Sequence, residues 1–268
     1  MPTKLMLGCA ALLALAFSAA PPAAAQDLLQ YIDRTSDAFT KADVTRAEVE
    51  ALIAAAGPAG GVDLNGRALN RLDLSGLDLH GANLKAARLN GTRLAGANLS
   101  GATLDQAWGL EADLTEANLE GASLISAQLQ GARLDRANLS HARIASDLTQ
   151  ASLAQATLDG INMTNGVPAR ESRRHPFVLR SAKLDGAKVT NAGLIGVVLE
   201  FASLKDADLS GSIFAGAALA GADFTGANVA KADFNGADLA SAHLEHAVGR
   251  EAIVNLDKAR NLEQAYTK

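Results

Sequence analysis

The chain has 268 residues, 49% of them hydrophobic but only 4% aromatic and 20% charged, with a formal net charge of −5 at pH 7. This mildly acidic balance excludes a general nucleic-acid binder, which would need a basic face. The one cysteine, Cys9, sits at the extreme N-terminus, so the rest of the chain can hold neither a disulfide nor a thiolate metal site.

Residues 1–25 read as a secretory signal peptide. Lys4 precedes an apolar run over 5–17, and small residues then lead to Ala23-Ala24-Ala25 before Gln26. The run is too short to span a membrane as a helix, so the expectation is cleavage near Ala25 and a soluble protein in a bacterial periplasm or outside the cell. Leu7-Gly8-Cys9 has the look of a lipoprotein processing site, but a cysteine so early leaves almost no apolar segment before it.

Residues 26–60 are expected to form a small helical N-terminal cap. Thr45 with Glu48 three residues later makes a capping box, Val49, Leu52 and Ile53 make an apolar stripe, and Gly57-Pro58 stops the helix. Leu28, Leu29, Ile32 and Phe39 suggest an amphipathic first helix ahead of it.

A strict period of five then governs residues 61–254. From Leu64 to Ile144 every fifth residue is Leu, apart from Gly109 and Ile144 themselves, and two residues earlier Ala recurs, as in Ala82-Asn83-Leu84, Ala97-Asn98-Leu99 and Ala117-Asn118-Leu119. In an α-helix residues five apart point about 140° away from one another, so no stripe forms. In a flat strand an odd spacing sends alternate leucines to opposite faces. What remains is a chain that bends once per pentad with a constant hand, a coil whose turns stack to complete each other's core. Gly follows the leucine by two residues at many steps (Gly66, Gly76, Gly91), where a corner needs permissive backbone.

The pattern closely resembles the pentapeptide-repeat family, Ala-(Asp/Asn)-Leu-X-X. The resemblance implies an all-β fold, a right-handed four-sided parallel β-helix with one pentad per side and about twenty residues per coil. On a twenty-residue coil, outward residues twenty apart stand above one another. Asp73, Arg93, Asp113 and Arg133 then form a column of alternating sign, and Asp78, Asn98, Asn118 and Asn138 an amide column. Phe214, Phe224 and Phe234 fill the lumen of the later coils.

The rhythm breaks in four places. Leu148 arrives one residue early. Residues 166–176 are an inserted loop carrying Arg170, Arg173, Arg174 and His175, a basic finger on an acidic molecule. Gly109 and Gly249 replace the central residue in two similar segments, which predicts a shared local bulge, with the only tryptophan, Trp108, either folding over the hole at Gly109 or anchoring a partner. Residues 255–268 keep fragments of the pattern (Leu256, Ala259, Leu262, Ala265) as a looser C-terminal tail that closes the other end.

Nucleophile, metal-ligand and phosphate-loop arrangements do not emerge from the sequence, and the five histidines are scattered, so the reading is a non-enzyme with no cofactor and no metal. Ile195, Val198, Phe201 and Ile213 occupy outer positions on adjacent sides and suggest a contact patch for a protein partner or a second copy in a homodimer. With Trp108 and the basic loop they are the candidate binding residues of an exported scaffold whose partner the sequence does not name. The family resemblance supplies an alternative, since several of its members mimic duplex DNA and bind and protect DNA gyrase. Export and interspersed arginines such as Arg88, Arg93 and Arg133 weigh against it.

Overall fold

The computed structural model describes residues 33–57, 61–161 and 176–267. The chain divides into two units, Met1–Thr40 and Lys41–Lys268. Among its described residues the first has one short helix, Asp37–Thr40, preceded by a turn in which Asp33 accepts from the amide (2.9 Å) and hydroxyl (2.6 Å) of Thr35. Leu28, Leu29 and Ile32, expected on a first amphipathic helix, lie outside the described residues, as does the predicted signal peptide.

In the second unit each pentad makes one side of a four-sided coil. Parallel bridges join residues twenty apart on every side: Asp63 to Asn83 on the first, Ala68 to Arg88 on the second, Asp73 to Arg93 on the third and Asp78 to Asn98 on the fourth. Four backbone bonds recur in each five-residue repeat. Around Leu84, the leucine amide donates to Thr103 O in the next coil (2.8 Å), the preceding Asn83 amide donates to Val62 O in the previous coil (2.9 Å), Ala86 N at the corner donates to Asp105 O in the next coil (2.8 Å), and Ala87 N closes the corner by donating to Leu84 O (3.0 Å). A side is therefore only one bridge long before the chain turns. Only Ser123–Gln128 (β1) and Arg143–Asp147 (β2) extend into regular strands among the described residues. The second corner residue is left-handed whatever its identity, with φ of 67° at Gly66 but also 59° at Arg71, 54° at Ala86 and 60° at Gln106. Glycine is common there because it alone avoids the ~1–2 kcal/mol cost of that conformation.

The leucines face inward as the period requires. Leu84, Leu104 and Leu124 are fully buried, as are the alanines two residues before each centre. Thr92, the one exception between Ala82 and Ala142, keeps its buried hydroxyl satisfied by donating to Leu69 O at 2.7 Å. A residual void of about 10 Å³ lies among Leu158, Phe177, Leu184, Val189 and Phe214, no more than one water would need. Phe214 and Phe234 stack at 5.3 Å, and Phe224 meets Phe234 edge-on at 6.0 Å, so aromatic rings fill the later lumen.

The breaks in the rhythm resolve individually. At Leu148 the bridges shorten to nineteen residues (Arg133 to Ser152, Asn138 to Thr157), and the residue is lost where β2 pairs irregularly with β1. Bridges then span thirty-one residues (Asp147 to Val178, Ser152 to Lys183), eleven more than a regular coil, so Phe177-Val178-Leu179 already forms a coil side. At Gly109 there is no bulge. The register stays at twenty through Arg88, Trp108 and Gln128, and a β-carbon at Gly109 would stand 2.8 Å from Leu129 Cδ2. The leucine of the next coil fills the space, not Trp108, so a larger residue at Gly109 would have to displace the Leu129 methyl.

Gly249 behaves differently and begins a wider coil. Bridges lengthen one residue per side: Asn228 to Val248, Asp233 to Val254, Asp238 to Arg260, His243 to Tyr266. Each side gains a residue through a 3₁₀ turn (Arg250–Ala252, Leu256–Lys258, Leu262–Gln264) entered from a left-handed Gly249, Asn255 or Asn261. The C-terminal stretch is thus a coil of six-residue sides, with Leu256, Ala259, Leu262 and Ala265 packed against the core.

At the other end, the helix Arg46–Ala56 begins at Thr45 with the expected capping box and ends at Gly57, whose amide donates to Ile53 O. Val49 is completely buried, but Leu52 is exposed, so the stripe is narrower than the sequence suggested. The segment lies on the first coil: Ala42 pairs antiparallel with Leu69, Asn70 Nδ2 donates to Lys41 O (2.9 Å), and Arg46 Nη1 donates to Asp73 O (2.9 Å).

Candidate partner-binding face

The outer columns of the first coils are occupied with one another. On the third side Arg93 meets Asp73 at 2.7 Å and Arg133 meets Asp113 at 3.6 Å, so the alternating column separates into two pairs. On the fourth side Asn98 donates to Asp78 at 2.8 Å, and Asn118 and Asn138 continue the amide column at 3.4 and 3.3 Å. At the corner after the second side a further amide ladder turns inward, which the sequence did not disclose. Asn70 and Asn90 are buried, Asn90 donates through its backbone and side chain to Asn70 Oδ1 (3.1 and 3.0 Å), and Leu110 N donates to Asn90 Oδ1 (3.1 Å).

The second side changes character along its length. Its column runs Ala68, Arg88, Trp108, Gln128, Asp147, Val178, Val198, Ala218, Asp238, Arg260. Trp108 is half-buried on this side and Val198 shares it, four coils further along. Val178, Val198 and Ala218 make a half-buried apolar floor, edged at its corners by Ile195 (51% exposed) and Phe201 (67%). Ile213 (41%) stands around the corner on the first side, bridged to Gly193. The four sequence-predicted apolar residues thus fall on the first and second sides and their corners. Phe201 also needs a partner that sequence reading missed: its Cδ1 lies 2.6 Å from where a β-carbon of Gly221 would stand. The twenty-residue offset is the signal that pairs them. The basic finger of Arg170, Arg173, Arg174 and His175 lies outside the described residues.

The remaining polar groups are structural in their contacts. His243 stacks on Tyr266 (4.4 Å, 13°) and its Nδ1 lies 3.0 Å from Glu245 Oε1, a contact that holds the Glu245 carboxyl below its usual range. Asp159 is also lowered. Burial is the largest single influence and pushes its pKa up, but the bonds from Lys188 and from the Thr190 hydroxyl (2.7 Å) and amide (3.1 Å) together outweigh it. Among the described residues no cluster of His, Cys, Asp or Glu is arranged to hold a metal ion, and no helix is long and apolar enough to cross a membrane.

Comparison with known proteins agrees with this geometry. The pattern described as pentapeptide repeats matches in eight copies, over residues 61–94, 73–107, 111–144, 192–229, 202–239 and 217–248. Among solved structures, HetL, a pentapeptide repeat protein involved in heterocyst differentiation regulation from the cyanobacterium Nostoc sp. strain PCC 7120, is 28% identical with a TM-score of 0.61, over 83% of this chain and 94% of HetL. Rfr23 from the cyanobacterium Cyanothece 51142 is 33% identical over 40% of this chain and 59% of its own (TM-score 0.23). A form of QnrB1, a plasmid-mediated fluoroquinolone resistance protein, is 20% identical over 76% and 84% (TM-score 0.30). Comparison with curated protein sequences finds no match. The inward leucines, the twenty-residue register and the repeat matches place this chain in the pentapeptide-repeat family, whose members fold as right-handed four-sided β-helices.

Proposed function

We propose that this protein is a non-catalytic, exported scaffold that binds a protein partner through one side of its solenoid. The observation that carries the reading is the grouping of the outward apolar residues Ile195, Val198, Phe201 and Ile213 on two adjacent sides, in contrast to the third and fourth sides of the earlier coils, whose columns are ion pairs and amides. Apolar side chains left outside a full lumen gain nothing from the fold, whereas covering them against a partner is favourable by roughly 25 cal/mol per Å². Arg170, Arg173, Arg174 and His175 would add a basic contact in the same chain, and the segment 41–57 would act as the N-terminal cap that keeps the first coil from pairing with other edges. Export rests on the layout of residues 1–25.

Cell fractionation combined with a photo-crosslinking residue at Val198 or at Asn118 tests the reading. The expected result is mature protein in the exported fraction and capture of one defined partner from Val198 but not from the amide column. Capture from Asn118 alone would remove the face assignment. Protein confined to the cytoplasm would remove export and revive the gyrase-binding alternative. That alternative is weakened by arginines 93, 133 and 136, which neutralise Asp73, Asp113 and Glu116 where an anionic track would have to run.

A further inference from the structure

We infer that Asn235 is a self-modification site: its side-chain amide is lost to attack by the Gly236 backbone nitrogen, and opening of the coil of six-residue sides sets the rate. The inference stands independently of any binding partner.

The chemistry belongs to the dipeptide. Where glycine follows asparagine, no β-carbon crowds the next amide nitrogen. That nitrogen attacks Cγ of the asparagine. A new N–Cγ bond forms, the Cγ–Nδ2 bond breaks, and Nδ2 leaves as ammonia with the proton of the glycine amide. Water then opens the five-membered imide. Its attack at Cγ leaves aspartate, and its attack at the backbone carbonyl leaves isoaspartate, whose main chain is longer by one carbon. In this fold the nucleophile is masked, because the second corner amide of a pentad donates to a carbonyl one coil ahead. A corner therefore reacts only when the coil ahead of it opens, and its protection depends on where that coil lies in the stack.

Asn-Gly occurs at Asn65, Asn90, Asn165 and Asn235, of which Asn165 lies outside the described residues. The other three all occupy corners but differ in cover. Asn90 is buried, its Oδ1 accepts from Leu110 N (3.1 Å), its Nδ2 donates to Asn70 Oδ1 (3.0 Å), and Gly91 N donates to Leu110 O (2.9 Å). Asn65 is exposed, but Gly66 N is held by Lys85 O at 2.8 Å, and the segment 41–57 is bonded onto the first coil through Lys41 O and Arg46. Asn235 is exposed, and its carboxamide makes no hydrogen bond among the described residues. Gly236 N reaches Lys258 O at 3.1 Å. Lys258 belongs to the coil of six-residue sides, and among the described residues no further coil stacks on it. Outermost units open at the lowest cost.

Either product also weakens what holds that coil. Asp233 accepts from the Asn235 amide and from Asn255 Nδ2, both at 2.9 Å, so a carboxylate at 235 places like charge beside the acceptor that anchors the wide coil. Isoaspartate adds a main-chain carbon to the corner itself. A reversible opening thus becomes an irreversible one.

The test incubates the purified full chain in mildly alkaline buffer and follows each Asn-Gly peptide by mass spectrometry, with fragmentation that separates aspartate from isoaspartate. Asn235 should convert at least about tenfold faster than Asn90, and measurably faster than Asn65, because the rate tracks the population of the opened coil. In denaturant the three rates should converge. Arg250 joins Glu245 O (2.8 Å) to Thr267 O and so closes the wide coil on itself. Arg250→Ala should speed Asn235 at least about threefold and leave Asn65 unchanged, the unchanged rate showing that the rest of the variant is folded. Asn65 or Asn90 reacting as fast as Asn235 in the folded chain, the same ranking persisting in denaturant, or an Asn235 rate indifferent to Arg250→Ala overturns the inference.

Discussion

The coils before the inserted residues and those after them use the same backbone to opposite ends. In the earlier coils, from Leu64 to Leu158, leucine takes every central lumen position but Gly109 and Ile144, and the outer columns close on themselves, by ion pairs on the third side and amides on the fourth. In the later coils phenylalanine enters the lumen and valine, isoleucine and phenylalanine also appear outside. Because each side buries only a centre and a companion and is otherwise held by backbone bonds, the three remaining positions can vary in side chain without disturbing the fold. The earlier coils use that freedom mainly for polar contacts between coils, whereas the later ones combine such contacts (Arg180 with Glu200, Lys205 with Asp223) with exposed apolar side chains at Ile195, Phe201 and Ile213.

The largest test of this contrast is in the lumen. Phe234 is fully buried against Phe214 and Phe224, so Phe234→Ala should cost about 3–5 kcal/mol by emptying a site that the stiff coil cannot collapse into. Coils touch only their neighbours, so the loss should be local. Hydrogen exchange should show amides of the later coils opening while those around Leu84 keep their protection. Equal loss at both ends would mean that the solenoid unfolds as a single unit and that the two regions are not energetically separable.

An intermediate effect compares two amide ladders in the earlier coils. Asn90→Ala removes the acceptor of the buried Leu110 amide and the side-chain bond to Asn70 Oδ1, and should cost about 1–3 kcal/mol. Asn118→Ala breaks only long bonds (3.4 and 3.3 Å) on the outer fourth side, besides the Asx contact to Glu120 N, and should cost less than about 1 kcal/mol. Chemical denaturation of the two variants reads the difference directly. Similar costs would show that inward placement does not matter to these asparagines.

How much of this the sequence disclosed follows from what repeats. A lumen position recurs every five residues, so Leu84, Leu104 and Leu124 were readable without coordinates, and so were the outer columns once the coil was counted as twenty. The Asn70–Asn90 ladder was hidden because its corner position carries unrelated residues elsewhere, and nothing in the chain marks which corner turns inward. Gly109 and Gly249 look alike in sequence yet differ: Leu129 fills the space at the first, while the second is left-handed and opens a wider turn. The six-residue sides were visible in principle, since Asn255-Leu256 and Asn261-Leu262 repeat at that spacing with Ala259 and Ala265 following, but a search tuned to five reads them as decay. The outward apolar residues were legible as side chains out of place in the pattern. That Trp108 and Val198 share a side, and that Gly221 lies beneath Phe201, depend on which residues stack one above another.

The smallest expected effect lies at the junction between the two regions. Asp159 and Lys188 bridge the one coil that carries eleven extra residues, with Thr190 supplying two further donors to Asp159. The folded state lowers the Asp159 pKa and raises that of Lys188. A lowered carboxyl contributes stability above its unfolded pKa, about 3.9, and loses it as pH falls through the lower folded value. The raised lysine contributes below about 10.4 and loses its share only as pH climbs past the folded value. Asp159→Asn should therefore lower stability at neutral pH by no more than about 1 kcal/mol, because the pair is largely solvent-screened. The gap between the melting temperatures of variant and parent should close as pH drops below about 4. Arg93→Ala, which breaks an exposed pair within the earlier coils, should have an effect at least as small, since no insertion has to be closed there. A deficit in Asp159→Asn that persists undiminished into acid would mean that geometry at the junction, not the charge of Asp159, joins the two regions.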